Sequence, residues 1–254
     1  MSHADIPDAL RLCRASNWNQ LADDWRVFLD RGGAFVAVEG GAIVGSVAHL
    51  PFDTFTWLSM MLVDPGARRS GIGTRLMEAC LDAVGEKPVR LDATPFGEPL
   101  YRRFGFVDEY VLQRAHTSGP GASCPNARPI DPADLPAIAA RDYEVFGADR
   151  GALLADLLRR APDLAWQTER AYCFGRPGHI RPQIGPLVAL DTADAHCLLA
   201  HCQAAHPGVV FTMDTPVPSS LAIASERPFL RMIRGGAPSV AHPHAFAITG
   251  PEFG

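Results

Sequence analysis

WLSMMLVDPGARRSGIGTRLMEAC, residues 57–80, joins an uncharged apolar run to an amphipathic one through two arginines, a serine and two glycines. Phe55 to Val63 carries no charge, as a buried strand would, and Leu76, Met77, Cys80, Leu81 and Val84 recur at helical spacing over Gly73 to Val84. RRSGIGTRL (68–76) therefore falls between a strand end and a helix start. Glycines there let successive backbone N–H groups turn to one side. The helix N-terminus adds partial positive charge and Arg68 and Arg69 add formal charge, a combination that favours phosphate. A plain surface turn with solvated arginines is the competing reading of an isolated Gly-x-Gly. A P-loop needs Lys then Ser or Thr after the last glycine, where Thr74 and Arg75 stand. A dinucleotide fingerprint needs a third Gly or Ala, where Leu76 stands.

Around the loop, periodicity predicts helices over 6–16 and 21–29, strands over 34–39 and 42–50 joined at Gly40-Gly41, a strand over 55–63, and the helix over 73–84. Strand 89–93, helix 98–104 and strand 107–112 complete the unit. That order points to an α/β (α+β) fold, a mixed sheet flanked by helices. The 254 residues suffice for two ordinary domains, and 47% hydrophobic with 20% charged residues suits a globular chain. A net charge of −5 argues against non-specific nucleic-acid binding. No apolar run approaches the roughly 20 residues of a membrane span, and MSHADIPDAL lacks the features of a signal peptide, so no membrane partner and a cytoplasmic location are expected. The six cysteines form no CxxC and read mostly as buried thiols. HCLLAHC (196–202) sets Cys197 and His201 on one helix face, yet no carboxylate or further CxxC joins them. An ordinary helix is expected there and no metal.

The chain repeats itself weakly. Asp5, Ile6 and Pro7 fall on Asp134, Leu135 and Pro136, both helix entries with proline in the first turn. Ala127 to Pro129 stands as an extended stretch before the second copy and nothing stands before the first. The first domain is expected to lack its opening strand or to begin later than the natural product. Residues 57–80 align on PLVALDTADAHCLLAHC (186–202), Asp64 on Asp191 and Cys80 on Cys202, and the residues missing from the second copy are the glycine-arginine loop. TSGPGASCPN (117–126) reads as a linker. The expected organisation is a domain over 1–116, the linker 117–126, and a second domain over 127–254.

The run Val63-Asp-Pro-x-x-Arg-x-x-Gly-x-Gly73 resembles the pyrophosphate-binding segment of the GCN5-related N-acetyltransferase (GNAT) superfamily, and PLYRRFGF (99–106) resembles that family's tyrosine helix and Gly-Phe strand entry. The second half resembles the degenerate C-terminal domain of tandem GNAT proteins, most of all at FGADR (146–150) and GRPGHIRPQIGPLVA (175–189). The resemblance implies two tandem domains, each a mostly antiparallel mixed sheet flanked by helices, the first binding acetyl-CoA. It puts Met61, Leu62 and Val63 against the pantetheine arm, Arg68, Arg69, Ser70, Gly71, Ile72, Gly73 and Thr74 around the pyrophosphate, and Phe104 beside the pantetheine or adenine.

The implied chemistry is direct attack of an amine on the thioester carbonyl, with Tyr101 protonating the departing thiolate. The base stays open among Asp53, His49, Asp92 and a water chain. Trp18 and Asp24 in SNWNQLADDW (16–25), with Trp25, would build an acceptor wall, and Tyr143, Glu144, Phe146, Asp149 and Arg150 would close the pocket. Helix packing for the tryptophans, a solvated face for Asp24 and a helix cap by Asp149 are the plainer alternatives. The expected function is N-acetylation of a small-molecule amine or amino acid. Protein N-terminal or lysine acetylation and a non-catalytic acyl-CoA-binding regulatory module are the alternatives, and a homodimer stays open.

Overall fold

A computed structural model of the protein describes residues 1–219, 221 and 224–254. Helices α1 (Ile6–Ala15) and α2 (Ala22–Arg31) precede strands β1 (Gly33–Glu39), β2 (Ala42–Pro51) and β3 (Thr56–Val63). Then come α3 (Ile72–Val84), β4 (Val89–Ala93), α4 (Glu98–Arg103) and β5 (Val107–Thr117). The second half runs β6 (Arg128–Pro129), α5 (Leu135–Phe146), α6 (Gly151–Arg160), β7 (Trp166–Gln167), β8 (Ala171–Arg176) and β9 (Gln183–Ala189). It ends with α7 (Thr192–Ala205), β10 (Phe211–Pro216), β11 (Ala224–Arg234) and β12 (Ala245–Ala247). The β1–β2 turn uses Gly40 and Gly41 at φ 57° and 82°, the left-handed pair that a tight hairpin requires.

The strands form one mixed, mostly antiparallel sheet in the order β1-β2-β3-β4-β11-β5-β10-β9-β8-β7-β6, with β12 on β9. Parallel pairing is confined to β3–β4 and β9–β10, the two places where a helix, α3 or α7, returns the chain to the same direction. Alternation sorts the side chains between the faces. Leu91 and Ala93 of β4 pack with Leu76, Met77 and Cys80 of α3, while α1 and α2 pack on the other face with Ala48, Trp57 and Leu62. In the second half α7 covers the α3 face and α5 and α6 cover the α1 face.

The sheet is continuous across the segment 117–126. Strand β11, from the second copy, lies between β4 and β5 of the first and pairs antiparallel with both. Strand β5 in turn pairs with β10, so the sheet runs unbroken through both halves. The cysteines depart from expectation in one respect: Cys124 and Cys197 form a disulfide that ties 117–126 to α7. Cys197 is thereby withdrawn from any metal, and His201 Nδ1 accepts from the Cys124 N–H at 3.3 Å. Cys13 and Cys80 are buried thiols that desolvation raises to about 11 and about 12. Among the described residues no helix is long and apolar enough to cross a membrane.

Candidate active site

The glycine-arginine loop enters α3 with its backbone groups free. Asp64 turns the chain by accepting from the Gly66 N–H at 3.1 Å, and Arg11 holds the same carboxylate at 2.8 Å. Arg69 and Gly71 take positive φ, 65° and 81°, and Ser70 Oγ donates to the Ala67 carbonyl at 2.7 Å. Among the described residues no protein acceptor meets the N–H groups of Arg69, Ser70, Gly71, Ile72, Gly73 and Thr74; the first donation inside the helix is from Arg75 to the Gly71 carbonyl. No side chain caps α3. Gly71 is required by its φ, but Gly73 is helical, and a side chain there would meet nothing closer than Leu100 Cδ2 at 3.4 Å. Glycine at 73 leaves the helix end bare, which suits close approach of a phosphate to the amides. Arg68 lies over the exposed ring of Phe96 at 5.2 Å.

The corresponding helix of the second half is closed. Asp191 caps α7 by accepting from the Asp194 N–H at 2.9 Å, and Arg170 holds both Asp191 and Asp194 at 2.8 Å. A carboxylate already occupies the position that an anion would take.

Below the loop, β3 and β4 pair only at Thr56–Val89 and Trp57–Arg90 and then part. Along the parted stretch β3 bulges: its register with β2 slips between Ser46–Leu62 and Ala48–Ser59, and Met60 takes φ 53°. Ser46 Oγ pins the bulge by donating to the Met60 carbonyl at 2.9 Å. Main-chain groups of Leu58 to Val63 that would bond a neighbouring strand face the gap instead.

A cleft occupies this gap. Ser59, Met60 and Met61 of β3, Asp92 of β4, Tyr101 of α4, Arg114 of β5 and Arg227 and Phe229 of β11 line it, under Trp18, Gln20 and Glu252. Tyr101 packs edge-on to Phe106 at 6.0 Å, its hydroxyl has no bonding partner among the described residues, and burial raises it well above the ordinary phenol range. Ser59 Oγ, Gln20 Oε1 and Arg227 Nε are buried without a hydrogen-bond partner. Three orphaned polar atoms around one cavity mark a place for a polar ligand.

Of the expected site residues, the structure gathers Met61, Tyr101 and Trp18 in the cleft, with Leu62 and Val63 continuing β3 into the loop. Phe104 is partly buried and packs against the α3 cluster. Asp24 is elsewhere. It is fully buried, accepting from Arg160 at 2.7 Å, Arg176 at 3.1 Å and the Leu21 N–H at 2.8 Å. The network continues from Arg176 to Gln183 at 3.0 Å, from Gln183 to Asp214 at 2.8 Å, and from Asp214 to Arg114 at 2.8 and 2.9 Å. Asp24→Ala leaves Arg160 and Arg176 buried without this carboxylate and is expected to cost about 3–5 kcal/mol of folding stability, measured by urea unfolding. A role in the acceptor wall alone would change substrate KM and leave stability intact.

Nor does the 143–150 cluster close the cleft. Arg150 is buried against both Asp142 oxygens (2.6 and 2.9 Å), Thr249 Oγ1 (2.7 Å) and the Gly254 carbonyl (2.8 Å), and its guanidinium lies over Phe146 at 3.9 Å. Asp149 accepts from the Gly151 N–H at 2.9 Å just ahead of α6, while Tyr143 and Glu144 are exposed. Among the base candidates, Asp53 is occupied with the Asp149 N–H at 2.8 Å and His49 lies off the cleft, its pKa lowered by burial. Asp92 lines the cleft but is clamped through both oxygens by Arg231 at 2.8 and 2.9 Å.

Glu252 escaped the sequence reading. Its Oε2 accepts from Gln20 Nε2 at 3.2 Å and its Oε1 lies against Arg176 Nη2. Nothing local in TGPEFG signals that this tail passes over the sheet. Arg227 and Arg114 were missed as well, although Arg227, Phe229 and Arg231 fall on one face of a strand by simple alternation.

Against known proteins, two family models described as "Acetyltransferase (GNAT) domain" match the chain, one over residues 30–108 and the other over 138–233. The chain is a tandem GNAT protein. The tandem GNAT arrangement matches a putative acetyltransferase structure from Pyrococcus horikoshii at TM-score 0.86 and 22% identity, over 100% of this chain and 94% of that one. A tandem GNAT protein from the clavulanic acid biosynthesis pathway matches at TM-score 0.64 and 12% identity, over 93% and 98%. An uncharacterised N-acetyltransferase of Bacillus subtilis, YitH, is 29% identical over 163 residues, 60% of this GNAT chain and 57% of that protein. The chain spans about half the length of the curated relatives it matches.

Proposed function

We propose that the protein is an N-acetyltransferase that moves the acetyl group of acetyl-CoA to the amine of a small molecule by direct attack. The observation that carries this reading is a cleft beside the parted strand β3, lined by Tyr101 and Glu252, with the bare amides of the loop that follows β3 in the chain. The N–H groups from Arg69 to Thr74 would hold the pyrophosphate, with Arg68 beside them, and main-chain groups of Met61 and Val63 the pantetheine arm. Bound acetyl-CoA supplies the activated thioester. A main-chain N–H at the Met60 bulge would polarise the thioester carbonyl, Glu252 would take the proton of the attacking amine, directly or through water, and Tyr101 would give a proton to the departing sulfur. Gln20 and Arg176 would orient Glu252, whereas Asp92 is clamped by Arg231 through both oxygens.

Thiol release from acetyl-CoA, followed across a panel of small amines, tests the reading. Release that depends on amine supports it; acetyl-CoA binding without release for any amine leaves a binding module. Glu252→Gln is expected to lower kcat about 100-fold at pH 7. The loss should shrink as pH rises, because the amine then arrives already deprotonated. Activity within twofold of the wild type at pH 7 would remove Glu252 from the proton path.

A further inference from the structure

Cation and carboxylate are matched almost throughout the buried face of the sheet. Arg231 meets Asp92, Arg114 meets Asp214, and Arg160 and Arg176 share Asp24. Arg227 breaks the pattern. It lies on β11 in the wall of the cleft, half-buried, with no ion pair or hydrogen bond to its guanidinium among the described residues and with its Nε sealed from solvent. Its neighbour in the chain, Glu226, turns to His116 at 2.9 Å. Arg114, its register partner across β5, adds a second positive charge nearby.

The guanidinium is also held in place. Arg227 and Arg114 lie over the same ring, Phe229, at 4.9 and 5.1 Å. Burial and the Arg114 charge act against the cationic form of Arg227 more strongly than the nearby Glu226 and Asp214 carboxylates favour it. Arginine does not give up its proton in proteins, so the relief available is an anion brought by a ligand. The fork of donors fits a carboxylate in two parallel bonds. At the other side of the same cleft stand Glu252 and the orphaned Ser59 and Gln20 oxygens, all acceptors, which suit an ammonium or amine.

We infer that the acceptor is an aminocarboxylic acid, its carboxylate held by Arg227 and its amine presented toward Glu252. The inference rests on the acetyltransferase reading for the transfer itself, but not for the binding. Transfer forms an amide bond, releases CoA thiol and one proton, and leaves the carboxylate untouched.

The test uses the full chain with glycine, β-alanine, 4-aminobutyrate and the common amino acids, each beside its carboxamide. With the wild type, kcat/KM for the responding acid should exceed that of its amide at least 100-fold. Arg227→Gln should reduce this ratio to about threefold or less while the acetyl-CoA Kd stays constant, and Arg227→Lys, which keeps the charge, should retain an intermediate ratio. Calorimetric titration of the same compounds in the presence of CoA separates the two readings. Acids that bind the wild type and lose at least tenfold in Arg227→Gln, with no turnover, would keep the subsite and sink the transferase. Turnover of amines with no preference for the acid, a preference unchanged in Arg227→Gln, or neither binding nor turnover would overturn the subsite.

Discussion

Tyr101→Phe is expected to lower kcat by about 100- to 10,000-fold while leaving acetyl-CoA affinity unchanged. The ring supplies the packing, against Phe106 and the α3 core, and phenylalanine keeps it. Only the hydroxyl is lost, and that hydroxyl bonds no described residue of the protein, so no buried partner is orphaned by its removal. The pH dependence follows from the direction of its shift. Burial raises the phenol above its ordinary value near 10, so it remains a proton donor across the working range, and its loss should not appear as a falling alkaline limb below about pH 10. Rapid-quench or steady-state kinetics at saturating acetyl-CoA would check this. A Phe variant within threefold of the wild-type kcat would show that the thiolate leaves without help from Tyr101.

Gly73→Asp is expected to weaken acetyl-CoA binding by at least about 100-fold, roughly 2.7 kcal/mol, without loss of stability. The substitution has room, the nearest atom being 3.4 Å from the new Cβ, and the backbone there is helical. A carboxylate in the first turn of α3 favours the helix by about 0.3–1 kcal/mol, so the melting temperature should hold or rise. Affinity falls for the same reason that the helix gains: a fixed anion takes the place of the pyrophosphate. The second half carries such an arrangement already, with Asp191 on the first-turn amides of α7. Calorimetry and a thermal melt on one sample decide the matter, and unchanged affinity would move the phosphate site off this loop.

The loop and its flanking elements were legible because each carries its own period. Strand Val89–Ala93 has the bounds read from the sequence, and α1 ends one residue before the reading. The strand from Val107 was read as ending at Leu112 but continues to Thr117, because Arg114 looks like a surface residue until Asp214, from the other half, is placed against it. Strand β11 was not read at all. Pro228 argues locally against a central strand, and the structure accommodates it beside a register shift between Ser225 and Arg227. The charged residues around the cleft are the least legible. Asp24 and Arg150 were assigned to the pocket as charged residues near aromatics, and both are spent on interior pairs whose partners lie far along the chain. Glu252 and Arg227 reach the cleft through long-range topology, which no window of sequence reports.

The insertion of β11 between β4 and β5 bears on how the protein folds. In the folded chain β4 and β5 are separated by one strand, β11, which lies more than a hundred residues further along the sequence. Closure of so distant a pairing is slow, and an open slot is a template for another chain's strand. The cofactor loop thus lies in the half synthesised first, yet the wall bearing Arg227 and Phe229 arrives only when 224–234 is seated. The loop and the wall opposite it are thus joined by a pairing between distant parts of the chain.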